Sequence, residues 1–221
     1  MMVARGSSEA SKPSAEVRYQ QLVAQRRYIY HVLSVERWNA VLSGQRALRS
    51  RNELGALAEN YALPVLVTLR GKVLLRPFFS ANDAVPFYLT PRTPMFCRMI
   101  REGRMRREDV VAIGFDFELC QDKYEHWLFN SNPAYEGCEL VGPWHERWRL
   151  DWGVLEAWDW VRDGLGIADQ ARWTFCRQAE ALVVPPVSIA DADHLVVDAN
   201  SVISRSHNVG LKLIEIPGVF A

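Results

Sequence analysis

The stretch RQAEALVV, residues 177–184, reads as a β-strand that carries one acid, Glu180, at its centre. Side chains two residues apart on a strand share a face, so Glu180 lies on the face of Gln178 and Leu182. A glutamate on a strand is most often an exposed charge at a sheet edge. The other interpretation is a functional acid, because the small alanines on either side leave room for a bound molecule.

The composition predicts one globular domain. The chain has 221 residues, of which 49% are hydrophobic, and can bury a sizeable core. Residues 1–16 are polar and small, so we expect a disordered leader there and a single folded domain over 17–221. No segment approaches the roughly 20 apolar residues that a membrane-spanning helix needs. We therefore expect a soluble, cytoplasmic protein without membrane contact.

The cysteines and histidines predict neither disulfides nor a metal site. The cysteines lie far apart and form no C-x-x-C pair, so free thiols are expected. The five histidines do not approach the spacing of a zinc site. The four cysteines are Cys97, Cys120, Cys138 and Cys176.

The net charge of zero hides an asymmetry along the chain. Residues 1–107 hold 18 Lys and Arg against 7 Asp and Glu, whereas residues 108–221 hold 8 against 19. Only four of the 26 basic residues are Lys, and a guanidinium grips phosphate oxygens in two places at once. The densest cluster is typical of a nucleic-acid surface, although a solvated helix end or pairing with the acidic half explains it as well. Its members are Arg98, Arg101, Arg104, Arg106 and Arg107.

Local signals predict an α+β fold, in which helices and strands are interspersed without a regular βαβ order. Ser34 is a typical helix N-cap, and Gly44 is placed to end that helix. Arg70-Gly71 predicts the turn of a β-hairpin. A loop is expected between an aromatic-rich helix and the Glu180 strand. Other expected helices cover 14–28, 51–61, 91–103, 153–162 and 199–206, and strands cover 28–33, 84–89, 109–117, 126–130 and 211–216.

Two further stretches combine a strand end with polar side chains. YIYHVLSVERWNAVLSG, residues 28–44, places His31 at the end of a strand, before the capped helix. VPFYLTPRTPM, residues 85–95, runs a strand directly into a Pro-Arg-Thr-Pro segment. The two prolines restrict the backbone around Arg92, which therefore loses little entropy when it is placed against an anion.

These stretches resemble blocks of the DarT family of DNA ADP-ribosyltransferase toxins, in the same order along the chain. The family has a YHIT-like segment before a helix ending in Gly, a VPFYFxPRSPM-like block, a DW pair and an RRQAEFLV-like strand. The matching segments here are YHVLS…LSG, VPFYLTPRTPM, Asp151-Trp152 and CRQAEALVV. The family threonine of the first block is replaced by Leu33, or by Ser34 if one residue is inserted.

The resemblance implies a compact single-domain fold with a central, mainly antiparallel split sheet flanked by helices. It implies an enzyme that cleaves NAD+ as a co-substrate, without a metal, and attaches ADP-ribose to a base of single-stranded DNA. In the family that base is usually thymine, and guanine in some branches. Such a toxin has a partner antitoxin, typically one with a macrodomain that removes ADP-ribose.

The same resemblance implies roles for individual residues. Glu180 matches the catalytic glutamate and Arg92 the essential arginine. Gln178 fits the Q-x-E spacing in which the first residue faces the acceptor. The implied NAD+ contacts are His31, Ser34, Tyr88 and Arg92, and the implied DNA contacts are Gln178, Trp173, Arg98, Arg101 and Arg104.

Structural explanations compete with several of these roles. N-capping already explains why a serine stands at position 34, and a position in the core explains a tyrosine at 88 equally well. For Glu180 the implied role fits the chemistry, because a fixed carboxylate stabilises the oxocarbenium-like charge left when nicotinamide departs.

The sequence leaves two alternatives to DNA modification open. One is an ADP-ribosyltransferase acting on RNA, protein or water, and the other is a catalytically idle nucleic-acid-binding module.

Overall fold

A computed structural model describes residues 13–55, 63–159, 164–203 and 210–220. The α-helices are α1 Ala15–Val23, α2 Val35–Ser43, α3 Arg51–Leu54, α4 Pro64–Lys72, α5 Pro94–Arg101, α6 Phe117–Cys120, α7 Trp152–Leu155 and α8 Ile167–Cys176. The strands are β1 Tyr28–Ser34, β2 Ala47–Leu48, β3 Leu74–Arg76, β4 Phe79–Ser80, β5 Val85–Tyr88, β6 Val110–Asp116, β7 His126–Phe129, β8 Leu140–Gly142, β9 Glu180–Val183, β10 Val187–Ser188, β11 Ala192–Val197 and β12 Lys212–Glu215.

One eight-stranded sheet, in the order β12-β11-β6-β1-β5-β9-β7-β8, organises the domain. Its neighbouring strands are antiparallel, except for the parallel pair β11 and β12. The sheet is split between β1 and β5. These two strands pair only at Tyr30 and Tyr88, whereas β1 pairs with β6 over all seven of its residues. The predicted α+β class and the split, mainly antiparallel sheet are therefore confirmed.

Two apolar layers cover the faces of this sheet, and β6 shows why they form. All seven residues of β6 are buried, and successive side chains point to opposite faces. Val111 and Ile113 belong to the core that contains Trp38. Val110 and Ala112 belong to the core on the other face, with Tyr19, Tyr30 and Phe96. An uninterrupted apolar strand is expected wherever both faces are covered.

Several local predictions are confirmed. The Ser34 hydroxyl accepts a hydrogen bond from the backbone N–H of Arg37 and begins α2, which ends at Gly44. Strands form in the segments predicted at 28–33, 84–89, 109–117, 126–130 and 211–216, and the predicted Glu180 strand forms as β9. The four cysteines are free thiols. In the ranges that the structure covers, no helix is long and apolar enough to cross a membrane.

The hairpin predicted at Arg70-Gly71 is wrong, because these residues lie inside α4. The apolar, β-branched run suggested strands, but Pro64 occupies the first turn of the helix, where its fixed φ and missing N–H are favourable. Tertiary contact also overrides the strand preference of the run. The side chain of Arg70 is buried within the fold, as described below.

The loop predicted before Glu180 is also wrong, because α8 occupies most of it. Only Trp173 of that helix is buried, so the sequence shows no clear apolar stripe. The helix predicted over 153–162 is limited to α7, and residues 199–203 form a turn instead of a helix. The remaining parts of the helices predicted over 51–61, 153–162 and 199–206 lie partly outside the described residues.

The N-terminal boundary differs by two residues from the predicted one. Ser14 caps α1, whose first residues are Ala15 and Glu16, so the helix begins inside the predicted leader. The helix ends at Val23, before the expected residue 28, and Arg26 takes a left-handed backbone conformation with φ 51° between α1 and β1. Residues 1–12 lie outside the described part of the chain.

Candidate active site

Glu180 begins β9 in the middle of the sheet, between β5 and β7. It lies directly opposite Tyr88 on one side and Phe129 on the other. The residue is 1% exposed. The interpretation of Glu180 as an exposed edge charge is therefore wrong, and a buried carboxylate needs a partner.

That partner is Arg70 of α4. Its Nη1 donates a hydrogen bond to Glu180 Oε1 and a longer one, at 3.4 Å, to Asn132 Oδ1. Its Nη2 lies 3.5 Å from the carbonyl oxygen of Ala81. The other carboxylate oxygen, Glu180 Oε2, is buried and has no hydrogen-bond partner among the described residues. The pair thus fixes the orientation of the carboxylate through one of its two oxygens.

Burial and charge set the protonation of this centre. Desolvation raises the pKa of Glu180, and the positive charge of Arg70 opposes that rise. Burial also raises the pKa of Tyr88, and the neighbouring Glu180 carboxylate adds to the effect. Tyr88 therefore stays protonated at neutral pH, with its hydroxyl 3.9 Å from Met95 Sδ. The site thus combines the Glu180–Arg70 ion pair with a neutral tyrosine hydroxyl.

His31 reaches the same cleft from β1. Burial lowers the pKa of His31 to about 4, so its imidazole is neutral at pH 7. Nδ1 lies 2.8 Å from the carbonyl oxygen of Pro86 and must be the protonated nitrogen, because a carbonyl only accepts. Nε2 is thereby left as a hydrogen-bond acceptor.

The cleft opens at the split between β1 and β5 and encloses about 940 Å³, with the solvent at its mouth included. Apolar residues of the two strands, among them Leu33 and Pro86, line one part of it. Arginines line another part and make it electropositive. The polar and charged lining residues are His31, Arg37, Arg49, Arg51, Arg70, Asn82, Tyr88, Asn132 and Glu180.

A second cavity adjoins this cleft and shares Tyr88, Met95 and Asn132 with it. It encloses about 1170 Å³ between α5, α8 and the residues that precede α4. We call it the arginine groove. Its polar and charged lining residues are Tyr88, Arg98, Arg101, Arg104, Asn132, Tyr135, Gln170, Thr174 and Gln178.

The arginines of the groove differ in their pairing. Glu102 lies 2.6 Å from Arg98 and 3.5 Å from Arg104, so it offsets part of their charge. Arg101 has no ion-pair partner among the described residues. Arg106 lies outside the groove and pairs with Glu108. Intramolecular pairing thus explains part of the cluster, and the groove retains a net positive charge.

The structure brings together most of the residues that sequence reasoning selected. Glu180, His31 and Tyr88 line the cleft. Gln178 and the three predicted arginines line the adjoining groove. Gln178 lies just before β9, where its amide donates to the carbonyl oxygen of Thr174. It therefore faces the groove and not the cleft.

Arg92 lies elsewhere. It is 6% exposed, its Nη1 donates to the carbonyl oxygen of Gly218 at 3.0 Å, and its guanidinium carbon lies 4.3 Å from the ring centre of Trp158. It lines neither the cleft nor the groove. Its role in catalysis and NAD+ binding stays a prediction.

Ser34 and Trp173 also lie outside both cavities. The hydroxyl of Ser34 caps α2, as the competing explanation held. Trp173 lies in α8 and lines a separate shallow cavity with Asp151 and Arg172. Within the described ranges, no group of three or more His, Cys, Asp or Glu side chains could hold a metal ion.

Sequence reasoning missed Arg70, Asn132 and the arginines at the mouth of the cleft. The local sequence predicts a hairpin turn at Arg70, and that prediction gives no reason to place its side chain in the site. Arg49 and Arg51 flank Ser50, whose capping box with Glu53 was a local signal for an ordered helix start. Asn132 carried no local signal.

The buried carboxylate at a cleft in a split, mainly antiparallel sheet agrees with the ADP-ribosyltransferase class that the sequence resemblance implies. Within that class, the chain belongs to the DarT family. The family model, described as ssDNA thymidine ADP-ribosyltransferase, DarT, matches residues 30–208. This range includes His31 in β1 and Glu180 in β9.

Solved DarT structures share the fold. Thermus sp. 2.9 DarT in complex with ADP-ribosylated ssDNA matches with a TM-score of 0.71 at 16% identity, over 89% of this chain and 97% of that one. The complex of Thermus sp. 2.9 DarT with NAD+ gives 0.65 at 16% identity, over 89% and 98%. Thermosipho africanus DarTG in complex with ADP-ribose gives 0.65 at 15% identity, over 88% of this chain and 51% of that one. No curated protein sequence matches significantly.

Proposed function

We propose that this protein cleaves NAD+ and transfers ADP-ribose to a thymine base of single-stranded DNA, with Glu180 as the catalytic carboxylate. One observation carries the proposal. Glu180 is buried at the cleft with Oε1 held by Arg70 and Oε2 without a partner among the described residues. A carboxylate oriented in this way is preorganised for a positive charge that develops beside it.

The ribose of NAD+ is where that charge develops. As the bond between C1′ and the nicotinamide nitrogen breaks, positive charge spreads over the sugar ring. Glu180 Oε2 stabilises this charge and accepts a hydrogen bond from a ribose hydroxyl. The base nitrogen then forms the new bond to C1′, and its proton passes to an acceptor in the cleft. Two groups can accept it, Glu180 Oε2 and the neutral Nε2 of His31.

Arg70 positions the acid and does not serve as a base, because a guanidinium offers only N–H donors and no acceptor. Its hydrogen bond to Oε1 selects one orientation of the carboxylate. Its charge also opposes the desolvation that raises the pKa of Glu180. The ionised acid, which stabilises the cationic sugar, is thereby favoured.

The remainder of NAD+ fits the electropositive part of the cleft. The diphosphate carries two negative charges, and Arg37, Arg49 and Arg51 line the same cavity as Glu180. Guanidinium groups bind phosphate oxygens with two parallel hydrogen bonds. The binding of NAD+ and carba-NAD+ by Thermus sp. 2.9 DarT supports this assignment.

Single-stranded DNA fits the arginine groove. Positive side chains along a groove follow a phosphate backbone, and aromatic rings stack on unpaired bases. Arg98, Arg101 and Arg104 provide the charge, and Tyr135 provides a ring. The base reaches Glu180 through the junction of the two cavities. The complex of Thermus sp. 2.9 DarT with ADP-ribosylated ssDNA supports this arrangement.

We further propose that the protein acts in the cytoplasm as the toxin of a toxin–antitoxin pair, with a catalytic domain that includes the whole of α1. Modification of DNA bases blocks their use as a template, so an unopposed enzyme is expected to be toxic. The likeness to Thermosipho africanus DarTG in complex with ADP-ribose supports an antitoxin that removes ADP-ribose, such as a macrodomain.

Controlled expression in bacterial cells tests this function. Wild-type protein should reduce colony counts and leave ADP-ribosylated thymidine in digested genomic DNA, detected by mass spectrometry. Glu180→Gln should abolish both effects. Glu125→Gln is the matched control, because Glu125 pairs with Arg76 on the surface, away from both cavities. Harmless wild-type expression without the adduct would contradict the proposal.

A further inference from the structure

Asn132 lies where the cleft meets the arginine groove, in the segment between β7 and β8. Of the described residues, three line both cavities, and Asn132 is the one with an amide side chain; the others are Tyr88 and Met95. Any base that passes from the groove to Glu180 must cross this junction. A polar group at this point is therefore placed to contact the acceptor base itself.

Hydrogen bonds fix the orientation of the Asn132 amide. Oδ1 accepts from the backbone N–H of Ala134 at 3.0 Å and from Arg70 Nη1 at 3.4 Å. Both partners are donors, so the atom facing them must be the carbonyl oxygen. Nδ2 is left with two N–H groups and has no hydrogen-bond partner among the described residues.

The same contacts connect Asn132 to the catalytic acid. Arg70 Nη1 donates both to Asn132 Oδ1 and to Glu180 Oε1, so one nitrogen joins the amide and the carboxylate. A base held by the amide nitrogen lies beside the group that stabilises the ribose. Recognition of the base and the transfer reaction thus share one rigid unit.

From this geometry we infer that Asn132 Nδ2 donates a hydrogen bond to the carbonyl oxygen of the acceptor base and selects keto bases over amino bases. Thymine carries O4 and guanine O6 at the position where cytosine and adenine carry an amino group. An amino group would face Nδ2 donor to donor and leave both unpaired, which is costly in a desolvated site. The inference rests on the proposed function, because it assigns the specificity of that reaction.

Asn132→Asp tests the inference with little change in shape. The aspartate keeps an oxygen for the N–H of Ala134 and for Arg70, replaces the donor with an acceptor, and adds a negative charge near Arg70. Asn130→Asp is the matched control, because Asn130 lies two residues earlier, accepts from the backbone N–H of Glu139 and lines neither cavity. The measurements are label transfer from NAD+ to four single-stranded oligonucleotides, each enriched in one base, and the NAD+ dissociation constant by calorimetry.

Loss of the donor should slow transfer to the keto-base oligonucleotide by about 10- to 100-fold, the discrimination that one good base contact provides. The NAD+ dissociation constant should stay within about threefold of the wild-type value, since one donor to the base is removed and not the nucleotide site. Asn130→Asp should behave as wild type. Oligonucleotides with 4-thiothymine, whose sulfur is a weak acceptor, should slow the wild-type protein and leave Asn132→Asp unaffected. This arm uses wild-type protein and does not depend on the folding of a variant.

Three results would overturn the inference. In the first, Asn132→Asp labels the keto-base oligonucleotide at the wild-type rate. In the second, transfer and NAD+ affinity fall in parallel, which would show that Asn132 acts only through Arg70. In the third, wild-type protein labels no oligonucleotide, so the proposed function itself fails and the inference falls with it. Wild-type protein alone shows this third result, so a failure of the proposed function is distinguished from a failure of the Asn132 assignment.

Discussion

Arg70 Nη1 donates a hydrogen bond to Glu180 Oε1, and both side chains are buried, with residue exposures of 8% and 1%. The two residues are 110 positions apart in sequence, so the contact joins α4 to β9. Removing either partner leaves an uncompensated charge in a desolvated site. The stability of the fold and the chemistry of the cleft therefore depend on the same pair.

Arg70→Ala should destabilise the protein and inactivate it. Breaking a buried pair by removing one partner costs about 3–5 kcal/mol of unfolding free energy. Loss of the arginine also removes the charge that opposes the raised pKa of Glu180, so the neutral acid becomes more populated at a given pH. Urea denaturation and NAD+ turnover measure the two effects.

Arg76→Ala is the control for that variant. Arg76 pairs with Glu125, but both side chains are more than two-fifths exposed, and such surface pairs contribute about 0–1 kcal/mol. Equal destabilisation by Arg70→Ala and Arg76→Ala would show that the buried pair has no special role in the fold.

His31 predicts a pH-dependent contribution to stability. Burial lowers the pKa of His31 from 6.5 to about 4, so the unfolded chain takes up a proton where the folded protein does not. The contribution is fully present above pH 6.5 and is lost as the pH falls through 4. At about 1.4 kcal/mol per pKa unit its upper limit is about 3 kcal/mol, and the partial exposure of the ring reduces it.

Unfolding free energies at pH 7 and pH 4.5 measure this contribution for wild type, His31→Gln and His145→Gln. Wild type and His145→Gln should lose more stability over this interval than His31→Gln, since the side chain of His145 is 72% exposed. The same loss in all three proteins would exclude the assigned effect of His31.

Substitution of Arg92 distinguishes a structural role of the Pro-Arg-Thr-Pro segment from a catalytic one. The contacts of Arg92 with Gly218 and Trp158 predict that Arg92→Ala lowers the unfolding free energy by about 2–4 kcal/mol, from one charged hydrogen bond and one cation–π contact. If Arg92 acts only through these structural contacts, transfer per folded molecule should change little. Intact stability with transfer reduced by about 100-fold or more would instead support the catalytic role that the family resemblance implies.

The arginine groove predicts how DNA affinity depends on salt. Arg101→Ala should weaken binding of single-stranded DNA and reduce the slope of log affinity against log salt by about 0.7 for each lost phosphate contact. Arg106→Ala is the control, because Arg106 is exposed, pairs with Glu108 and lies outside the groove. Fluorescence anisotropy at several salt concentrations provides the slopes. Equal slopes for the two variants would mean that DNA does not follow the groove.

Local signals were sufficient for a substantial part of the fold. The alternation around Glu180, the cap at Ser34 and the Pro-Arg-Thr-Pro segment before α5 each involve residues within a few positions of one another. Such patterns depend on backbone geometry that is the same in any protein. The strand of Glu180 and the helix after Ser34 were therefore predictable from single stretches.

The partner of Glu180 was not predictable in the same way. Arg70 contacts Glu180 only because α4 packs against the sheet, and its local sequence favoured a hairpin instead of a helix. The direction of the Arg92 side chain was not predictable from its own segment either. Its rigid segment was recognised correctly, but which way the guanidinium points depends on Gly218 and Trp158, far along the chain.

The most direct test of DNA modification is transfer of labelled ADP-ribose from NAD+ to four single-stranded oligonucleotides, each enriched in one base. The account predicts label on the thymine-rich oligonucleotide with wild-type protein. It predicts a rate lower by about 10²- to 10³-fold with Glu180→Gln, which keeps an acceptor for Arg70 but lacks the negative charge. Equal labelling by the two proteins, or no labelled oligonucleotide at all, would contradict it.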